Sequence, residues 1–544
     1  MLSFPHLFRR VLLPALLLLA AGWSLGCYFE TNDDPAIVLL LRGTAAAAPV
    51  ANLHLYFRGI STVLASLYAV SPAVPWFGLL LYALLYVATV LVFSVLDRLL
   101  TGRVPPVQIT TLLVLFFLTA WLEHGLWFNY VRVPLLLTGA GVLFAAQRPQ
   151  SRGAFLLAIA AFGLSWLIRP SPAFMGVLIA VPGAYWLSGR RALLVLSAIT
   201  LCAIIGAGVL YFMRSQQEID YQTIDVQEVY LIDYQLIYSV PCTASDSLGM
   251  QAARYRMRAD STLVNEALYE RATRFDLWAF LRKTAPAKLQ VMLRLVMHDY
   301  FPLLLLQALL LTWVASAPQL PQRRWFWLTQ AGYVGLLFLL GIALKLPPRV
   351  GLPLFDFWAL SNMLYVLRQT RQSSSAGPLT LVLVALAVAA GPYAYKTWHR
   401  HTVLEAERRH NEQLRAQLTA TLPANVLLIT DVLPITYKAA SPFRNPDPHP
   451  TKMMMLSGWT TANASQAAWR QQLTGTRNYT ESMRRLARAG AKVRWLLTPE
   501  GARILNKQLK ANNSLGGQLM PQPKPFAATS DTLRYYQLRE EIVK

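Results

Sequence analysis

Apolar runs long enough to cross a bilayer recur along the first three quarters of this chain, and they limit its fold more than any other feature. A helix needs about 20 residues to cross ~30 Å of hydrocarbon. Lipid offers no water to backbone N–H and C=O groups, so such runs must close their hydrogen bonds within helices. The strict alternation of a membrane β-barrel is absent. Composition agrees: of 544 residues 55% are hydrophobic and 14% charged, where a soluble chain carries about a quarter charged residues. The expected fold class is an all-α polytopic membrane protein of about eleven transmembrane helices, with a small C-terminal α/β domain outside the membrane.

The expected spans are 11–28, 76–96, 107–122, 133–147, 154–168, 173–188, 192–212, 300–316, 325–344, 352–367 and 378–396. Basic residues sort the segments between them. Arg9 and Arg10, Arg98 and Arg103, Arg148 and Arg152, Arg190 and Arg191, Arg323 and Arg324, and Arg368 and Arg371 fall on one side. The short loops of the other side hold only Arg132, Arg169, Lys345 and Arg349. The positive-inside rule makes the first side cytoplasmic, so the N-terminus is inside and the C-terminal domain outside. The formal charge of +23 then reflects topology and anionic lipid rather than nucleic acid. Arg9 and Arg10 precede an apolar stretch with no clear small-x-small cleavage site, as in a retained signal anchor. Cys27, Cys202 and Cys242 match no metal or disulfide spacing.

Residues 1–396 form the expected membrane module, with long external loops at 29–75 and 213–299. Residues 397–544 form the external domain. The first loop carries Tyr56, Phe57 and Arg58 beside Leu55, then Leu64 to Tyr68, fitting an interfacial helix. Residues 251–297 of the second loop should lie along the membrane surface. In the C-terminal part a charged helix, Glu405 to Leu418, leads into strands at 424–430 and 492–497 and helices at 480–490 and 499–510. The Pro-rich stretch 444–450 reads as a loop. No internal repeat is present.

The most informative polar motif follows the first span: Glu30-Thr31-Asn32-Asp33-Asp34-Pro35. Its plain reading is an Asn/Asp turn on a wet surface. Topology, the position of Asp33-Asp34, the interfacial segment after it and the large external loops together resemble the GT-C fold glycosyltransferases, over about residues 1–400. The resemblance implies an enzyme of the cell inner (cytoplasmic) membrane. It would move a sugar from a polyprenyl-phosphate donor to a glycan, lipid or protein acceptor of the envelope, on the external side. It also implies a catalytic carboxylate in the first external loop, here Asp33 or Asp34. Some members of that superfamily use a divalent cation, so Mg²⁺ or Mn²⁺ held by Asp33 and Asp34 is an open expectation.

The chemistry asks for the same parts. Glycosyl transfer needs a base for the acceptor hydroxyl, and its oxocarbenium-like transition state favours a nearby carboxylate. A phosphate leaving group needs cations. Arg349 ranks first because guanidinium forks onto phosphate. Lys345 shares its turn, Lys345-Leu346-Pro347-Pro348-Arg349, and Arg169 follows. Glu123, His124 and His54 are further candidates for sugar binding, against the plainer readings of an interfacial belt for the first two and a solvated helix face for His54. No zinc spacing or Gly-rich nucleotide loop is present. The competing readings are a transporter or flippase of a lipid-linked or anionic substrate, for which Asp356 is the main ionisable residue within a span, and a non-catalytic scaffold for envelope assembly.

Overall fold

The computed structural model describes residues 4–540 apart from 55, 318, 370–376, 424–425, 433–435, 446–450, 512–516 and 528–529. Leu55, Arg371, the start of the strand expected at 424–430 and most of the Pro-rich loop therefore lie outside the described residues. A helix lies over every expected span. In chain order these are Phe4–Leu25, Trp76–Leu100, Pro106–Leu126, Arg132–Ala146, Arg152–Ile168, Pro170–Ser188, Ala192–Phe212, Phe301–Ser316, Arg323–Ala343, Pro348–Gln369 and Gly377–Thr421. Among the described residues, seven helices are long and apolar enough to cross a membrane, counting Pro170–Phe212 as one. An eighth arises if Leu277–Asp299 and Phe301–Ser316, bent by 81°, make one span. Arg132–Ala146 and Arg152–Ile168 are shorter, at 15 and 17 residues. Pro170–Ser188 and Ala192–Phe212 part at Gly189, whose φ of 62° is left-handed and open to glycine without strain.

Pro348–Gln369 is the central helix, buried continuously from Gly351 to Leu367. Its polar residues find partners inside the bundle, as polar groups in lipid must. Asn362 donates to Gln307 at 2.6 Å and exchanges hydrogen bonds with Gln330, while Trp358 donates to Gln330 at 2.6 Å. At the other end of the bundle Arg9 and Arg10 converge on the buried Asp97 carboxylate, each at 2.5 Å. That basic pair is thus held by a specific counter-ion.

The external part departs from expectation in two ways. The helix after the acidic motif is Asp33–Leu41, which begins at the acid pair with Pro35 in its first turn, where its missing N–H is harmless. It is buried along nearly its whole length; the expected interfacial helix is Ile60–Val70. Second, residues 244–272 pack into a common core with the C-terminal domain. Met250, Ala252, Met257, Leu268 and Tyr269 share one hydrophobic core with the C-terminal domain. Leu277–Asp299 keeps an exposed apolar face, including Trp278, Val291 and Met297.

The C-terminal sheet has five strands, in the order Met453–Met455, Leu427–Thr430, Val493–Leu497, Ser530–Glu540, Gly517–Ala527. The first three are parallel and the last two form an antiparallel hairpin. Successive strand residues point to opposite faces, and the chain uses this fully. Leu428, Met453, Met455 and Leu496 pack with the membrane module. Leu427, Ile429, Met454, Trp495 and Leu497 pack against the helices of the external core. The edge strand joins the first loop through Met453 N–H to the Thr44 carbonyl, 3.1 Å.

Candidate active site

The acidic motif is anchored on both sides. Phe29 N–H donates to the Ala440 carbonyl at 2.9 Å and Glu30 N–H to Phe128 at 2.7 Å. Glu30, which the sequence reading had not singled out, accepts from the Arg349 backbone N–H at 3.0 Å. Its other oxygen lies 2.9 Å from the Arg132 guanidinium, with both side chains nearly fully buried. Segments more than 300 residues apart in sequence, at 30 and 349, are therefore in direct contact.

The two adjacent aspartates have different surroundings. Asp34 is fully buried; it accepts from Asn129 Nδ2 and from Tyr130 N–H, both at 2.9 Å. Burial pushes its carboxyl well above the usual range, with Asp33 and Glu30 adding to the rise, against the Tyr130 hydrogen bond and Arg349. Asp33 lines a cavity of about 160 Å³ together with Asn32, Arg256, Asp431, Ser457 and Trp459. Among the described residues no hydrogen bond or ion pair holds its carboxylate.

Arg169, Lys345 and Arg349 line a second cavity, of about 220 Å³, with Val131, Asp233 and Tyr234. All three leading cationic candidates thus share one space at the ends of four spans. Arg169 donates to the Tyr130 hydroxyl at 2.7 Å and lies over the rings of Tyr56 and Tyr130. Burial pulls its guanidinium down, but neighbouring charges, Asp33 and Asp225 among them, oppose this, so it stays charged. Burial raises the Tyr56 and Tyr130 phenols, which stay protonated. Lys345 pairs with Asp233 at 2.8 Å. Lys288 donates to the Leu344 carbonyl at 2.8 Å and to those of Ile342 and Tyr234, clamping two walls of the cavity together.

The remaining candidates lie elsewhere. Glu123 is buried at the end of Pro106–Leu126, held by Lys396 at 2.8 Å, Tyr393 at 3.1 Å and Arg400. His124 Nε2 lies 2.8 Å from Asp356 Oδ2, both wholly buried. Neither lines the two cavities, and they join spans rather than forming an interfacial belt. His54 is half-buried beside Tyr221, ring centroids 5.9 Å apart, and burial lowers its pKa. It lines neither cavity either.

Of the acid pair expected to hold a divalent cation, each Asp34 oxygen accepts one hydrogen bond and Asp33 faces the smaller cavity; among the described residues no group of three His, Cys, Asp or Glu converges. No protein-family model matches the chain, and no curated protein does. Among solved structures, it is similar to the crystal structure of ArnT from Cupriavidus metallidurans bound to undecaprenyl phosphate. That similarity has a TM-score of 0.46 and 11% identity over 96% of this chain and 97% of that one. At those values nothing is carried over to individual residues.

Proposed function

We propose that this chain is a polytopic membrane glycosyltransferase of about eleven spans, N-terminus inside, that moves a sugar from a polyprenyl-phosphate donor to an envelope acceptor on the external side. One observation carries the reading: three cations from two separate loops line one cavity, and its rim touches the acidic motif. Arg349 and Lys345 would hold the donor phosphate, with Arg169 fixed by two tyrosines beside them. Asp33 would be the base. As the acceptor oxygen bonds to the anomeric carbon, its proton passes to the Asp33 carboxylate. The bond from that carbon to the phosphate oxygen breaks, and the electron pair stays on the phosphate, where the cations stabilise it. Asp34 would hold Asp33 in place by fixing the helix start to the 129–130 loop.

The test is binding of polyprenyl phosphate alone to the purified protein, followed by native mass spectrometry. Wild type should retain the carrier, and the Lys345→Gln, Arg349→Gln double variant should lose it. Equal retention by a folded double variant would overturn the assignment.

A further inference from the structure

The cavity that Asp33 lines has a composition that selects its occupant. It sits at the carboxyl ends of Leu427–Thr430 and Met453–Met455. There the chain leaves the middle strand for a neighbour on one side, then returns to Val493–Leu497 on the other. Open parallel sheets bind ligands at such a switch point. Among the described residues, Asp33 and Asp431 are its carboxylates and Arg256 its one cationic lining residue. Arg256 is already engaged by Glu228 at 3.3 Å and Asp233 at 3.4 Å. The Asp431 oxygens face the N–H and hydroxyl of Thr498. The fixed charge is therefore negative, and an entering anion would meet two carboxylates and no unengaged lining cation. Ser457 and Thr460 add hydroxyls, and Trp459 and Tyr255 add ring faces of the kind that stack on sugars.

We infer that this cavity is the acceptor site and takes a hydroxyl-bearing saccharide end that is neutral or amine-bearing, excluding anionic acceptors. The inference rests on the transferase reading and gives it a substrate class. Helix Gln216–Glu228 and the turn after it connect the two sites. Tyr221 donates to the Trp459 carbonyl at 2.7 Å, and Asp233 bridges Arg256 of the acceptor cavity to Lys345 of the donor cavity. The two cavities thus share a wall but differ in sign.

The test uses the full-length protein in lipid nanodiscs with Cys202→Ser and Cys242→Ser, and needs no donor. Ser457→Cys reports the acceptor cavity and Ser171→Cys the cationic one. Each is labelled with a methanethiosulfonate bearing a trimethylammonium group or a sulfonate, and rates are normalised to a free thiol. At position 457 the cationic reagent should react roughly tenfold faster, the lower range of focusing in a charged cleft, and at 171 the order should reverse. Glucosamine and methyl glucoside should slow labelling at 457, and glucuronate should not. Equal or faster reaction of the sulfonate at 457, protection by glucuronate, or no protection by any sugar would overturn the inference. Should Ser457→Cys fail to fold, Thr460→Cys is read the same way. Loss of the reversal at 171 alone would count against the donor reading and leave the acceptor class standing.

Discussion

The two cavities flanking the acidic motif are made from different materials. The larger lies at the ends of spans and gathers Arg169, Lys345 and Arg349 from turns between helices. The smaller lies at the carboxyl ends of two parallel strands and gathers Asp33, Asp431 and aromatic rings from four separate segments. A phosphate held near lipid needs fixed positive charge, whereas a hydroxyl about to lose its proton needs a carboxylate. On the proposed transferase reading, separating the two signs keeps the acid and the cations from neutralising each other. Asp33 and Asp34 repeat the contrast within two residues, one open to a cavity and one locked by amide donors.

The sharpest way to break that contrast is to treat both aspartates alike. Asp33→Asn should lower transfer by roughly 10²- to 10⁴-fold, the usual contribution of a general base, with an unchanged melting temperature. Asp34→Asn turns a donor toward donors and should instead lower stability by about 1–3 kcal/mol. Similar rate losses in both, with both melting normally, would erase the distinction. Arg132→Met leaves the buried Glu30 carboxylate with only the Arg349 N–H and should destabilise by roughly 3–5 kcal/mol in denaturant titrations. Arg349→Gln should raise the donor KM by about 10- to 100-fold while the acceptor KM stays constant, a split that assigns the cations to one cavity. A smaller effect is expected at Asp431. Burial holds its carboxyl above the ordinary range, against the two Thr498 hydrogen bonds. Folding therefore favours the protonated form. That stability is complete below the ordinary aspartate pKa and is lost as pH rises through the raised folded value. Asp431→Asn should flatten this part of the melting curve against pH, and an unaltered slope would assign it to another group. Least affected should be Lys438→Ala, which removes a partly exposed pair with Glu407 worth a few tenths of a kcal/mol.

Span positions were legible because length and hydropathy act locally, whatever the neighbours. The cationic residues were legible because basic residues are scarce in that set of short loops. What the sequence hid is pairing. Successive helix residues point about 100° apart, so Asp33 and Asp34 diverge, but which one meets Asn129 depends on a loop 95 residues away. Glu123 and His124 read as an interfacial belt because Lys396 and Asp356, the partners that draw them inward, come from later helices. Glu30 stood beside the acid pair and its adjacency was the available signal; Asp233 had none. Gly517–Ala527 was invisible as a strand because Pro521, Pro523 and Pro525 break the pattern. It survives as the sheet's edge, where a missing N–H leaves no partner unsatisfied.

The last helix, Gly377–Thr421, has 45 residues, a length of roughly 67 Å at 1.5 Å per residue. Crossing the hydrocarbon uses about 30 Å of that, and just past Pro392 the helix is pinned to Glu123 by Tyr393 and Lys396. Farther out, Asn411 donates to the Lys438 carbonyl, 2.9 Å, in the external domain. One continuous element thus runs from the helical bundle into the C-terminal domain and fixes the distance between the two. On the proposed transferase reading, a bulky acceptor then approaches from the flank, parallel to the membrane, rather than descending from above.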